Sequence, residues 1–257
     1  MSELQTSLGY RIVPLGDSAL NVCFGDRVDP VIYHRVKQLA DHLDRHPLPG
    51  MIEYVPAYAT VTIYYDPLAL ITGENGGGET KGDTAFEASG KPPFDTASSL
   101  LHSIMAKLGD AISAAPRTVE IPVCYGGDLG PDLETVAAYH GLTEDEVIDI
   151  HTSADYLVYM LGFAPGFGYL GGLSGRIATP RRETPRLSIP AGSVGIAGDQ
   201  TGIYPLDTPG GWQLIGRTPV RLFMPERMPP TLLEAGDHVR FCRITREEYD
   251  AWGGDGL

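Results

Sequence analysis

Three arginines stand within six residues in Thr179-Pro-Arg181-Arg182-Glu-Thr-Pro-Arg186. Guanidinium groups held between prolines can present bidentate forks to a carboxylate or a phosphate. The same spacing fits a solvated loop whose cations pair with Glu183 and neighbouring acids, and spacing alone leaves both readings open. Downstream, Asp199-Gln200-Thr-Gly-Ile-Tyr204-Pro and Thr208-Pro-Gly-Gly-Trp212-Gln213 set amide, phenol and indole groups beside glycines. A backbone can approach a small polar ligand closely at such places. Tyr204 and Trp212 are equally common in cores.

Two formal motifs overlap this region. Gly166-Phe-Gly168-Tyr-Leu-Gly171 matches the dinucleotide fingerprint G-x-G-x-x-G. That fingerprint needs a helix opening at its last glycine, so that N-terminal amides hold a pyrophosphate. The strand candidate YLVYML precedes it, but GLSGRIATP follows, with no apolar stripe, so no pyrophosphate site is expected. Ala191-Gly-Ser193-Val-Gly195 is a relaxed nucleophile elbow, which requires a strand, a turn and then a helix. IAGDQTGIYP follows instead, and Asp207, Asp237 and His238 are pairings any chain of this length offers. Ser193 reads as a turn serine, with donation to a ligand as the alternative. His140 and His151 read as surface or helix-end residues rather than catalysts.

These residues belong to a chain of 257 residues, 42% hydrophobic and 20% charged, which is the composition of an ordinary soluble globular protein of one or two domains. A net charge of −14 argues against nucleic acid and anionic membrane as partners. No apolar run approaches the ~20 residues of a membrane span. The N-terminus carries no charged-then-apolar signal pattern, which predicts a cytoplasmic protein. Cys23, Cys124 and Cys242 are far apart, as expected of reduced thiols rather than a disulfide framework or a zinc site.

The elements that must position the site divide near residue 115. Residues 10–24 predict a hairpin or two short strands. Residues 29–45 predict a helix with Ile32, Val36, Leu39 and Leu43 on one stripe, Asp29 as cap and Pro30 in the first turn. Residues 51–66 read as one bent strand or a pair. The Gly-rich stretch 73–95 predicts a flexible insertion. A second helix follows with Leu101, Ile104, Met105, Leu108 and Ile112 on one face, completing a small α+β domain over 1–115. Beyond it come a strand in RTVEIPVCY and two short helices, the second opened by a Thr143/Glu146 capping box. From residue 156 onward, short apolar pieces alternate with glycine and proline turns, the signature of a closed or sandwiched β structure over 116–257.

The blocks IPVCYGGDLGPDL, YLVYMLGFAPGFGYLGGL, TPRRETPRLSIPAGSVGIAGDQ and TPGGWQLIG together resemble the family of 5-oxoprolinase B subunits. That family also includes the kinase inhibitor KipI and is often labelled allophanate hydrolase subunit 1. The resemblance is dense from about 117 to 242 and thinner across 8–66. The chain departs from the family pattern at Gly168, where proline is usual, and in its longer 73–95 linker. The resemblance implies a cyclophilin-like β-barrel after a small α+β domain, and function in partnership with 5-oxoprolinase subunits C and A. It implies a complex that opens 5-oxo-L-proline to L-glutamate with ATP hydrolysis, with Mg2+ left open. Within that expectation, Arg181, Arg186 and Gln213 carry the catalysis, with Arg182 as a further cation. Gln200 and Tyr204 help orient the amide, and Gly192 and Ser193 offer backbone donors. Phe163, Phe167, Tyr169 and Trp212 wall the substrate. No P-loop is present, which leaves the ATP contact to the C subunit or an interface. The alternative is a KipI-like inhibitor of a sensor histidine kinase; prolyl isomerisation rests on fold analogy alone.

Overall fold

The computed structural model describes residues 9–72, 91–108 and 117–253. The chain divides into two compact units, Met1–Ala114 and Ala115–Leu257.

In the first unit, β1 (Arg11–Pro14), β2 (Ala19–Cys23), β3 (Met51–Pro56) and β4 (Thr60–Tyr65) form an antiparallel sheet in the order β1-β2-β4-β3. The 51–66 stretch is therefore a strand pair. Helix α1 (Pro30–Arg45) begins where its sequence predicts: the Asp29 carboxylate accepts the amides of Val31 at 2.8 Å and Ile32 at 3.3 Å. Its stripe buries Val36, Leu39 and Leu43 and packs on β3 and β4, while Ile32 is half-buried. Helices α2 (Pro67–Thr72) and α3 (Pro93–Lys107) pack together. Most of the expected insertion, 73–90, lies outside the described residues, but its last three residues are already helix. Pro93 occupies a first-turn position where the missing N–H costs nothing, so a segment that reads as loop starts α3. On α3, Leu101 is buried, Ile104, Met105 and Leu108 are half-buried, and Ile112 falls outside the described residues.

The second unit contains β5 (Thr118–Tyr125), α4 (Leu133–His140), α5 (Glu144–Thr152), β6 (Tyr156–Leu161), β7 (Gly168–Gly171), β8 (Arg186–Ile189), β9 (Ser193–Ala197), β10 (Gln200–Ile203), β11 (Thr208–Gly210), β12 (Gln213–Arg217), β13 (His238–Arg243) and α6 (Arg246–Asp250). Seven strands close a barrel in the order β10-β7-β6-β13-β5-β12-β9, and β8 with β11 forms a separate ribbon. β13 and β5 run parallel, paired from His238 and Thr118 to Arg243 and Val123. Ile121, Val158, Leu170, Ile196, Ile215 and Phe241 fill the core, joined by Val136 and Ala137 of α4 and Val147 and Ile148 of α5. Both hydrogen bonds of the Thr143/Glu146 capping box are present at the start of α5.

His151 corrects the helix-end reading. It closes the last turn of α5 but is fully buried, stacked on Phe241 at 4.5 Å. Its Nδ1 lies 2.8 Å from the Tyr125 hydroxyl and its Nε2 lies 2.9 Å from Thr201 Oγ1. The Thr201 hydroxyl donates to the Gly195 carbonyl at 3.0 Å, so Nε2–H must donate to Thr201 and Nδ1 accept from Tyr125. Burial holds this neutral imidazole well below its ordinary range, at a pKa of about 3. Among the described residues no helix is long and apolar enough to cross a membrane, and all three cysteines are free thiols.

Candidate functional site

The arginine loop runs into β8 and is pinned at three points. Gly198 N donates to the Thr179 carbonyl at 2.8 Å, and Arg182 N donates to the Gly211 carbonyl at 2.7 Å. Gln213 Nε2 donates to the Pro180 carbonyl at 3.0 Å. Two of the three guanidinium groups then turn inward onto one carboxylate, Asp132. Arg182 Nη1 donates to Oδ1, and Arg186 donates through Nη1 to Oδ2 and Nη2 to Oδ1, each at 2.8 Å. The Leu214 amide adds a fourth bond to Oδ2 at 2.7 Å.

Asp132 is the residue that sequence reasoning missed. It stands at the start of α4, where an aspartate ordinarily caps the helix, yet its side chain makes no capping bond. Instead it is buried, with 4% of its side chain exposed, beneath the two arginines. Such a carboxylate is tolerated only because cations and an amide compensate it, and removing one partner of a buried pair typically costs about 3–5 kcal/mol. The triad of charges carries a net +1. Arg181 is different: it is exposed and makes no side-chain hydrogen bond or ion pair among the described residues.

Beside this loop lies an aromatic cluster centred on Phe167. Its ring meets Phe163 at 5.3 Å, Tyr169 at 5.1 Å, Trp212 at 5.8 Å and Tyr204 at 5.9 Å, all edge to face. Phe167, Tyr204 and Trp212 are buried, packed with Ile189 and Leu214 into a small second core. They are therefore not walls of an open pocket. Tyr169 is half-buried and Phe163 is 63% exposed, so Phe163 presents the cluster to solvent. Phe163 also has φ 67°, the one positive φ at a non-glycine among the described residues. An aromatic residue held in the left-handed region is a strained position of the kind found at functional sites. The turn that imposes it is closed by Gly162 N to Phe167 O at 3.1 Å and Phe167 N to Ala164 O at 3.0 Å. At Gly166, with φ 84°, a Cβ would stand 3.0 Å from the Leu222 carbonyl oxygen. After Gly171 comes only a three-residue 3-10 turn, Gly175–Ile177, in place of the helix a dinucleotide fingerprint needs.

Burial raises the pKa of the Tyr204 phenol, opposed by a hydrogen bond from the Trp212 backbone and by the charges of Arg181 and Arg186. It is a neutral hydroxyl at physiological pH. The ribbon passes close over it: a Cβ on Gly210, which pairs with Arg186, would stand 2.5 Å from the Tyr204 oxygen. Gln213 is buried, and its amide orientation follows from Nε2 facing the Pro180 carbonyl, which leaves Oε1 without a hydrogen-bond partner. Arg182 Nε is likewise unpaired.

Gly192 and Ser193 do not supply the expected donors. Gly192 N donates to the Tyr204 carbonyl at 2.7 Å, and Ser193 N to the Pro190 carbonyl at 3.2 Å. The Ser193 hydroxyl donates to the same Pro190 oxygen at 2.7 Å. Asp207 accepts the Ala191 amide and Asp237 accepts Arg117 and the Glu234 amide, so neither orients a histidine toward Ser193. Along β9, Ser193 pairs with Arg217 whereas Ile196 pairs with Gln213, which separates the Gly192–Ser193 turn from the Gln213 end by about 10 Å of strand. Gln200 opens β10 opposite Ala197, at the end where Thr179 bridges Gly198. Arg182 and Arg186 thus meet at Asp132, Gln213 holds the loop at Pro180, and the charges of Arg181 and Arg186 reach Tyr204, whereas Gly192 and Ser193 meet Tyr204 only through its backbone. His140 Nε2 lies 3.2 Å from Thr179 Oγ1, at the root of the loop. Chemically, the site offers an open guanidinium for an anion, backed by a rigid charged clamp. Among the described residues no three His, Cys, Asp or Glu side chains converge as metal ligands.

Residues 10–233 match the family described as carboxyltransferase domain, subdomain C and D. The chain is 48% identical over 243 residues to the B subunit of 5-oxoprolinase from Bacillus subtilis (strain 168), covering 95% of this chain and 96% of that one. Among solved structures, it is 36% identical to TTHA0988 with a TM-score of 0.70, covering 88% of this chain but only 40% of that longer one. The Kluyveromyces lactis urea amidolyase shares the fold at a TM-score of 0.70 and 19% identity, over 95% of this chain and 15% of that enzyme.

Proposed function

The chain belongs to the family of 5-oxoprolinase B subunits, built on a carboxyltransferase-type domain, and from that premise we propose that it is the B subunit of an ATP-dependent 5-oxoprolinase acting with subunits A and C. The likeness to a named B subunit along nearly the whole of both chains carries this reading. The reaction adds water across the lactam C–N bond of 5-oxo-L-proline to give L-glutamate, coupled to cleavage of ATP to ADP and phosphate. Amide resonance makes the lactam carbon a poor electrophile. Phosphorylating its oxygen turns that oxygen into a leaving group, a step that develops negative charge and calls for fixed cations nearby.

In this proposal Arg181 meets the substrate carboxylate or the transferring phosphoryl group, because it is the arginine of the loop with its fork free. Arg182 and Arg186, held by Asp132, fix the loop and supply a positive background. Gln213 Oε1, an unpaired acceptor, suits the lactam N–H, which it reaches only if the arginine loop shifts. Tyr204, Gln200 and the exposed Phe163 complete the surroundings, with Tyr169 and Trp212 supporting the aromatic turn. ATP enters as a substrate; its triphosphate has no P-loop here and is left to the C subunit or to an interface. A magnesium ion accompanying ATP would be held mainly by the phosphates themselves. The test is assembly: a tagged chain co-expressed with subunits A and C should retain both through size-exclusion chromatography. Elution of the chain alone, with A and C in separate peaks, would contradict the proposal.

A further inference from the structure

The first unit carries a cavity of about 310 Å³ lined by Tyr10, Arg35, His102, Met105 and Ala106. Its volume falls at the lower end of small-molecule sites. Arg35 is its cation. One arm, Nη1, donates to the Gly9 carbonyl, and the guanidinium stacks over the rings of Phe24 at 5.0 Å and Tyr10 at 5.9 Å. Stacking and the Gly9 bond fix the plane of the guanidinium. The Nε–Nη2 edge has no partner among the described residues, and no carboxylate there pairs with Arg35 in a chain of net charge −14. The Tyr10 hydroxyl lies 2.8 Å from His102 Nδ1, and both residues line the same cavity. Met105 and Ala106 of α3 make the remaining wall apolar.

We propose that this cavity binds a small organic carboxylate, its two oxygens on the Nε–Nη2 edge of Arg35 and its short apolar part against Met105 and Ala106. A planar fork held rigid by two rings matches a carboxylate bidentately. The Tyr10–His102 pair adds hydrogen-bonding groups beside it, and the apolar wall favours a carboxylate with a short carbon chain over a bare inorganic anion. The site lies in a different unit from the arginine loop and stands independently of the proposed reaction.

The test is titration of the ¹⁵N-labelled full chain with sodium butyrate, at ionic strength held constant with sodium chloride. Expected are saturable amide shifts confined to Gly9, Tyr10, Arg35 and the Met105 turn. Arg35→Met should weaken the affinity at least tenfold. Ala106→Phe, which fills the cavity from a solvent-facing helix position without touching the charge, should abolish saturation and serves if Arg35→Met does not fold. Linear shifts, shifts spread over the surface, unchanged binding by both variants, or saturation by inorganic phosphate in place of butyrate would overturn the proposal.

Discussion

At the level of single residues, the three arginines that look alike in sequence divide into two roles. Arg182 and Arg186 are structural cations, tied to a carboxylate with 4% of its side chain exposed, and Arg181 is a free one. Arg186→Ala leaves Asp132 under-compensated and should destabilise the fold by about 3 kcal/mol, seen as a lowered denaturant midpoint. Arg181→Ala should leave the stability within about 0.5 kcal/mol of the parent, since it breaks no bond. It should still depress activity of the assembled enzyme at least tenfold. Equal stability losses in the two variants would show that the division is wrong. The cluster of arginines was legible in sequence, but its counter-charge was not. Asp132 sits fifty residues upstream of Arg182, at a helix-start position where aspartate is ordinary. The available clue was physical: cations packed this closely need a carboxylate beneath them.

At the level of elements, what is governed locally was readable and what depends on distant pairing was not. The starts of α1 and α5 follow from Asp29 and from the Thr143/Glu146 box, because a cap acts within one turn. Thr143→Ala should therefore cost about 1 kcal/mol, measurable as a shift in the urea midpoint, and an unchanged midpoint would mean the box is not formed. The start of α3 was misread because the Gly-rich, polar composition of 73–95 signals a flexible insertion through to its end, whereas Pro93 tolerates the first helical turn. A β-rich second half was legible from turn spacing. Turn spacing left closed and sandwiched arrangements open, and only the family resemblance implied the barrel that forms, since the parallel pairing of β13 with β5 joins segments about 120 residues apart and leaves no local trace. Nor does the G-F-A-P-G-F turn announce that its first phenylalanine is exposed at φ 67° while its second is buried.

At the level of the whole molecule, the barrel interior couples stability to acidity through His151. Its folded pKa, about 3, lies below the unfolded value near 6.5, so below pH 6.5 the unfolded chain binds a proton the folded one refuses. The contribution is complete above pH 6.5 and is lost as pH falls toward 3, with a limiting slope of about 1.4 kcal/mol per pH unit. Urea titrations at pH 7, 6 and 5 should show this decline, and His151→Gln should flatten it; the same slope in both proteins would remove His151 as the cause. Complexes of subunits A and C, with and without this chain, are to be assayed for L-glutamate formed from 5-oxo-L-proline and ATP. Glutamate and ADP are expected in equal amounts only when this chain is present, and at least tenfold less with Arg181→Ala. Full turnover by A and C alone, or none with all three subunits together, would contradict the proposed function.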